Sequence, residues 1–165
     1  MSKSQDELLL EIAQKFRAAN AKLAVVESCT GGGLGYAITS MPGASDFFEG
    51  GLITYSNRVK AKSVYVREST LESQGAVSED CVKEMANGGL VALGVDCCVS
   101  ISGVAGPGGG SEEKPVGTVW FGLAVRHKSI EAQRFCFEGD RAAVRAQAVQ
   151  TGLEILAKVS LKKAV

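Results

Sequence analysis

Leu8, Ile12 and Phe16 recur at helical spacing behind Ser4 and Glu7, which form a capping-box pattern, so the first predicted element is a helix running to about Ala19. The run from Lys22 to Val26 that follows is short and β-branched and reads as a buried strand. Helical spacing returns between Thr30 and Thr39 with Leu34, Ala37 and Ile38, and Met41-Pro42-Gly43 stops it. Gly51 to Tyr55 predicts a second strand, after which Ser56 or Asn57 can cap a short helix through Val64. Past a loop around Gly75, Ser78 caps a helix whose apolar face holds Val82, Met85, Ala86, Gly89, Leu90 and Leu93. Asp96 to Ser102 is strand-like. Val116 to Val125 and Ile130 to Phe137, divided by a short polar turn, predict an antiparallel hairpin. Asp140 caps a last helix with Val144, Ala148, Ile155 and Val159 along its apolar stripe.

Helices that alternate with strands over the first two thirds require crossover connections and parallel pairing, whereas the late hairpin adds an antiparallel element. The expected fold is α/β: a three-layer α/β/α sandwich with a mixed, largely parallel sheet. No internal repeat and no linker divides the chain, so residues 1–165 are expected to form a single domain.

Composition narrows the function classes. At 165 residues, with 45% hydrophobic and 22% charged positions, the chain can bury a core without covalent staples. Eighteen basic residues balance eighteen acidic ones, so no global field favours a nucleic acid or an anionic membrane as partner. The five cysteines, Cys29, Cys81, Cys97, Cys98 and Cys136, are odd in number and show no CxxC spacing, which excludes a disulfide framework or a zinc site and reads as free thiols in a core. Asp6, Glu7 and Glu11 break the order of a signal peptide, and no apolar run reaches membrane-spanning length. A cytoplasmic location is expected.

Candidate chemistry concentrates where strands meet helices, because such turns bring side chains and free backbone N–H groups to the carboxyl edge of a sheet. In Glu27-Ser28-Cys29-Thr30-Gly31-Gly32-Gly33, Ser28 is a candidate nucleophile, with backbone donors around Thr30, Gly31 and Gly32 available to an oxyanion. The chain has one histidine, His127, in the polar turn Arg126-His127-Lys128-Ser129, so a Ser-His-Asp triad is hard to build. A lysine acting as a neutral amine is the alternative base, and Lys60, just beyond Thr54-Tyr55-Ser56-Asn57, is the best candidate. Tyr55 could bridge Lys60 and Ser28 or orient the attacked carbonyl. The same residues also read as a helix cap, a solvated lysine and a core tyrosine, and Cys29 is a rival nucleophile.

The third junction, Ser102 to Gly110, has neither the GxxxxGK[ST] of a P-loop nor a GxGxxG fingerprint. It reads either as a backbone nest for a phosphate or carboxamide, or as a surface loop shaped by Pro107 and Pro115. Arg141, at the start of the last helix, suits a phosphate by bidentate contact. Arg145, one turn on, reads first as a salt-bridge partner on a solvated face.

Val26-Glu27-Ser28-Cys29-Thr30-Gly31-Gly32, Thr54-Tyr55-Ser56-Asn57 with Lys60, the run from Ser102 to Gly109, Lys114-Pro115-Val116-Gly117-Thr118-Val119 and Gly139-Asp140-Arg141 together closely resemble the CinA C-terminal domain family, over essentially the whole chain. The characterised members of that family are nicotinamide-nucleotide amidases. The resemblance implies hydrolysis of the carboxamide of nicotinamide mononucleotide to nicotinate mononucleotide and ammonia, in pyridine nucleotide recycling, with no metal or organic cofactor. On the family pattern Ser28 is the nucleophile, Lys60 its general base and Tyr55 the assisting tyrosine. Arg141 and the loop with Ser102, Gly103, Ala105 and Gly106 match substrate-binding positions. Ser102 departs from the threonine common in the family, a change that keeps the hydroxyl. Larger members carry a further N-terminal domain related to molybdopterin-binding proteins, and this chain looks like the stand-alone amidase. The expected partner is a small pyridine mononucleotide, with the chain itself a homo-oligomer. The competing reading is a non-catalytic nucleotide- or partner-binding module linked to competence and DNA damage.

Overall fold

The computed structural model of the chain describes residues 2–162. Ser4 opens helix α1 (Gln5–Ala19) through a reciprocal capping box with Glu7, and α1 buries Leu8, Leu9, Ile12 and Phe16. Strand β1 (Leu23–Glu27) is buried along its whole length, as a central strand covered on both faces must be. Helix α2 (Gly33–Thr39) starts three residues later than the sequence predicts. The reason is local: Gly31 and Gly32 have φ of 59° and 101°, and a left-handed backbone cannot belong to a right-handed helix. A short 3-10 turn (Ala44–Asp46) leads to β2 (Phe48–Ile53), which begins and ends earlier than expected and leaves Thr54 and Tyr55 beyond the strand.

Ser56 caps α3 (Asn57–Val64) by accepting the Val59 N–H at 3.2 Å. A short helix unforeseen in the sequence, α4 (Glu68–Ser73), follows; it has no side-chain cap and buries only Thr70, so no periodicity announces it. Ser78 caps α5 (Glu79–Leu93), and β3 (Cys97–Gly103), β4 (Thr118–Val125) and β5 (Glu131–Cys136) complete the sheet. Asp140 caps α6 (Arg141–Ala157), which ends before Val159, although Val159 still enters the core.

The five strands lie in the order β2-β1-β3-β4-β5, mixed as expected. Two of the four pairings are parallel, β1 with β2 and with β3, and the two pairings of β4 are antiparallel. Helices α1, α2 and α6 cover the face that carries Leu23 and Val25, while α3 and α5 cover the face that carries Ala24 and Val26. The helices that follow the adjacent strands β1 and β2 therefore leave to opposite faces. That switch opens a crevice at the carboxyl ends of the strands.

Register fixes what meets there. Glu27 lies level with Ile53 on β2 and Ile101 on β3, so Ser28, Thr54 and Ser102 emerge side by side. Across the other face, Gly88 on α5 lets the backbone of α3 approach so closely that an added Cβ would lie 1.8 Å from the Val64 carbonyl oxygen. Among the described residues no helix is long and apolar enough to cross a membrane, and no cluster of His, Cys, Asp or Glu is suited to hold a metal ion. All five cysteines are free; four are buried, but Cys136 is exposed on β5 and is not a core residue.

Candidate active site

Lys60, the fourth residue of α3, is 1% exposed, although lysine is among the residues least often buried. Its Nζ lies 2.7 Å from the Thr54 carbonyl, 3.0 Å from the Tyr55 carbonyl and 2.9 Å from Ser28 Oγ. No carboxylate among the described residues pairs with it. Burial holds its pKa below the ordinary lysine value, because a desolvated ammonium with no counter-charge is costly. A neutral amine has two N–H donors and one lone pair. In that form the two carbonyls, which can only accept, take the two N–H groups and leave the lone pair to face Ser28 Oγ; as an ammonium, Lys60 donates to all three oxygens.

Ser28 sits where the backbone is tied on both sides: its own N–H donates to the Ile101 carbonyl at 3.0 Å, and the Thr54 N–H donates to the Glu27 carbonyl at 2.7 Å. After it, the chain turns sharply through Gly31 and Gly32. The Gly31 N–H donates to the Ser28 carbonyl at 3.1 Å, whereas the N–H groups of Cys29, Thr30 and Gly32 have no acceptor among the described residues. The Thr30 side chain faces inward and donates to Glu27 Oε1 at 2.6 Å, so only its backbone is open to a substrate. Free donors beside a nucleophile are what a developing oxyanion needs.

Tyr55 differs from its expected place. Its ring is exposed and its hydroxyl accepts from Arg141 Nη2 at 3.3 Å, with no hydrogen bond to Lys60 or Ser28; the backbone carbonyl of Tyr55, not its ring, touches the amine. Arg141 Nη1 donates to the Gly106 carbonyl at 2.8 Å, which ties the start of α6 to the glycine-rich loop. Ser102 is 1% exposed, lines the cleft, and its hydroxyl has no hydrogen-bond partner among the described residues.

The cleft, about 240 Å³, is bounded by Ser28, Cys29, Tyr55, Lys60, Ser102, Gly103, Ala105 and Arg141, together with Ala76 and Val77. A second recess next to it, lined by Ala105, Gly106, Pro107, Gly139, Arg141 and Arg145 among others, extends along the start of α6. Ala76 and Val77 escape the sequence reading, and their only trace is a pair of apolar residues between Gly75 and the cap Ser78. Arg145 corrects an expectation. It makes no salt bridge among the described residues, and donates instead to the Cys29 carbonyl at 3.1 Å and the Thr30 carbonyl at 3.4 Å.

Two alternatives lose ground on this geometry. Burial pushes the Cys29 thiol up to about 11, so it is protonated at neutral pH and poor as a nucleophile. His127 is exposed in the β4–β5 turn with φ of 65°. That turn follows Val125, which pairs with Cys97 at the start of β3, at the end of the sheet remote from Ser28.

The family model of the CinA C-terminal domain matches residues 5–160. The chain belongs to the CinA C-terminal domain family. It is 51% identical over 150 residues to the nicotinamide-nucleotide amidohydrolase PncC of Escherichia coli K12, 91% of each chain, and 48% identical over 156 residues to PncC of Enterobacter agglomerans, 94% of this chain and 95% of that one. It is also 47% identical over 154 residues to a CinA-like protein of Thermotoga maritima, covering 93% of this chain but 37% of that longer one. Among solved structures, a CinA superfamily protein from Klebsiella pneumoniae superposes with a TM-score of 0.89 at 40% identity, covering 94% of this chain and 97% of the other. A competence or damage-inducible protein from Enterobacter asburiae gives 0.91 at 36% identity, covering 96% and 100%.

Proposed function

We propose that this chain is a nicotinamide-nucleotide amidase that cleaves the carboxamide of nicotinamide mononucleotide through Ser28 and Lys60, in pyridine nucleotide recycling. The observation that carries the reading is the 2.9 Å contact between Ser28 Oγ and a buried Lys60 Nζ that no carboxylate neutralises; the likeness to proteins named for this activity supplies the substrate.

Neutral Lys60 takes the proton of Ser28 Oγ as the oxygen attacks the carboxamide carbon. The negative charge that forms on the carboxamide oxygen is received by free backbone N–H groups of the turn after Ser28. Lys60, now an ammonium, gives its proton to the leaving nitrogen, and ammonia departs. Water then adds to the acyl-enzyme while Lys60 accepts a proton. Collapse expels Ser28 Oγ, which takes that proton back and releases nicotinate mononucleotide. Throughout, the Thr54 and Tyr55 carbonyls hold the amine in register. Ser102, with its free hydroxyl, and Arg141, on the rim, bind the substrate, and Tyr55 sets the position of Arg141 through its hydroxyl.

The test is ammonia release from nicotinamide mononucleotide by the purified wild type, Ser28→Ala and Lys60→Ala. Activity in the wild type alone supports the reading. Equal activity in all three removes the Ser-Lys mechanism, and no ammonia from the wild type removes the amidase.

A further inference from the structure

Glu27 and Arg145 both touch the turn that follows the nucleophile, and neither has a part in the mechanism described. Glu27 is 1% exposed. Its Oε1 accepts from Thr30 Oγ1 at 2.6 Å and the Leu34 N–H at 2.9 Å, and its Oε2 accepts from the Gly35 N–H at 3.0 Å. It thus satisfies donors of the turn and of the start of α2 from within. Arg145 reaches the same turn from α6 and holds acceptors, the Cys29 and Thr30 carbonyls. Its guanidinium lies beside Gly31, where an added Cβ would meet Nη2 at 3.6 Å. The two residues form no ion pair with each other and act through the backbone between them.

The geometry has a directional consequence. In a planar trans peptide, the C=O and the following N–H point in opposite directions. Because the Cys29 and Thr30 carbonyls accept from Arg145 on α6, the Thr30 and Gly31 N–H groups point away from Arg145. The Gly31 N–H is taken by the Ser28 carbonyl, and that of Thr30 is free. Resting on the amidase reading, we infer that Glu27 and Arg145 are positioning residues that fix the turn as an oxyanion site, with the Thr30 N–H as the donor they aim.

The experiment compares ammonia release by wild type, Arg145→Ala, Arg145→Lys and Glu27→Gln. A misaimed oxyanion donor lowers the chemical step, so kcat is expected to fall about tenfold to a hundredfold while KM changes by less than about threefold. Arg145→Lys, which offers a point charge in place of a fork, recovers part of the loss. Millimolar guanidinium recovers part of it in Arg145→Ala, because the site of Arg145 is open to solvent. Combining Glu27→Gln with Arg145→Ala costs no more than the worse single change, since both hold one turn. If Glu27→Gln does not fold, the Arg145 variants decide alone.

Two controls separate this inference from its alternatives. Nicotinamide riboside, which lacks the phosphate, should show the same fold loss in kcat. A loss confined to the nucleotide, expressed in KM, makes Arg145 a phosphate contact and overturns the proposal. The rate at which a fluorophosphonate labels Ser28, followed by intact mass, depends on the oxyanion site and not on the natural substrate. Slower labelling of Arg145→Ala upholds the inference even where the wild type proves silent toward the mononucleotide. An unchanged rate, or a wild type that is not labelled at all, overturns it.

Discussion

Between Glu27 and Gly33, the junction after β1 is tied down from every side: Glu27 takes three donors, Arg145 takes two carbonyls, and the backbone closes on itself from Gly31 to Ser28. The loop after β3 lines the same cleft but is anchored mainly at its ends, where Val104 pairs with Thr118 and Gly117 with Val104. Its middle is exposed, Gly108 has nothing within 4 Å of where a Cβ would be, and the hydroxyl of Ser102 is free. On the proposed mechanism the contrast separates two tasks. Bond-making tolerates misplacement of only a fraction of an ångström, so its scaffold is stiff, whereas recognition of a ligand can leave donors unspent until the ligand arrives. Changes at the first junction should therefore act on kcat, and changes at the second on KM.

The largest effects test the first junction and its amine. Ser28→Ala and Lys60→Ala should each lower kcat by about four orders of magnitude or more, with the double variant little worse, because nucleophile and base work as one unit. Ammonia release under saturating substrate measures this, and a fall of only a few-fold in either would break the comparison. Next comes Gly88→Ala, which drives a methyl group into the Val64 carbonyl and separates α3 from α5. A loss of about 2 kcal/mol or more in denaturant unfolding is expected, with lower kcat in whatever remains folded.

Acid-base behaviour sharpens the same contrast. The pKa of Lys60 in the folded chain lies below its unfolded value, so between the two values the folded chain holds fewer protons than the unfolded one. Stability attributable to Lys60 therefore rises with pH through that window, and the amine's full cost is present below its folded pKa. Lys60→Met should flatten that alkaline slope in pH-dependent unfolding. With Lys60 as the proposed base, which works only when neutral, activity follows the same sign, and kcat should fall about tenfold per pH unit below the folded pKa.

The smallest effects belong to the second junction. Arg141→Ala should raise KM about tenfold, the worth of a charge-assisted hydrogen bond, with kcat nearly constant. Ser102→Ala should raise KM about threefold, and Ser102→Thr should leave both constants close to wild type. A large kcat effect at Ser102 would merge the two regions that this comparison keeps apart.

How much of this was legible in the sequence depended on whether the signal was local. Ser4, Ser56, Ser78 and Asp140 announce their helices because a cap and its partner lie three residues apart. The start of β2 was obscured because Phe48-Glu49-Gly50-Gly51 mixes a charge and two glycines into a strand. Ser28 and Lys60 stood out as chemistry, but their meeting depends on the level of Glu27 with Ile53 and on the close crossing at Gly88, neither of which is written near either residue. Arg145 reads as a salt-bridge partner in the sequence because its true partners are carbonyls 115 and 116 positions away, and a carbonyl has no side-chain signature.

Cys29 stands next to Ser28, yet its sulfur is buried and protonated, and on the proposed mechanism the attacking atom is oxygen. A hydroxyl cannot be carried to sulfenic or sulfinic acid as a catalytic thiolate can. Peroxide that silences thiol-dependent amidases should reach only Cys136, out on β5, and leave turnover intact. On the proposed mechanism, catalysis by this chain would thus be indifferent to oxidants that disarm a thiol.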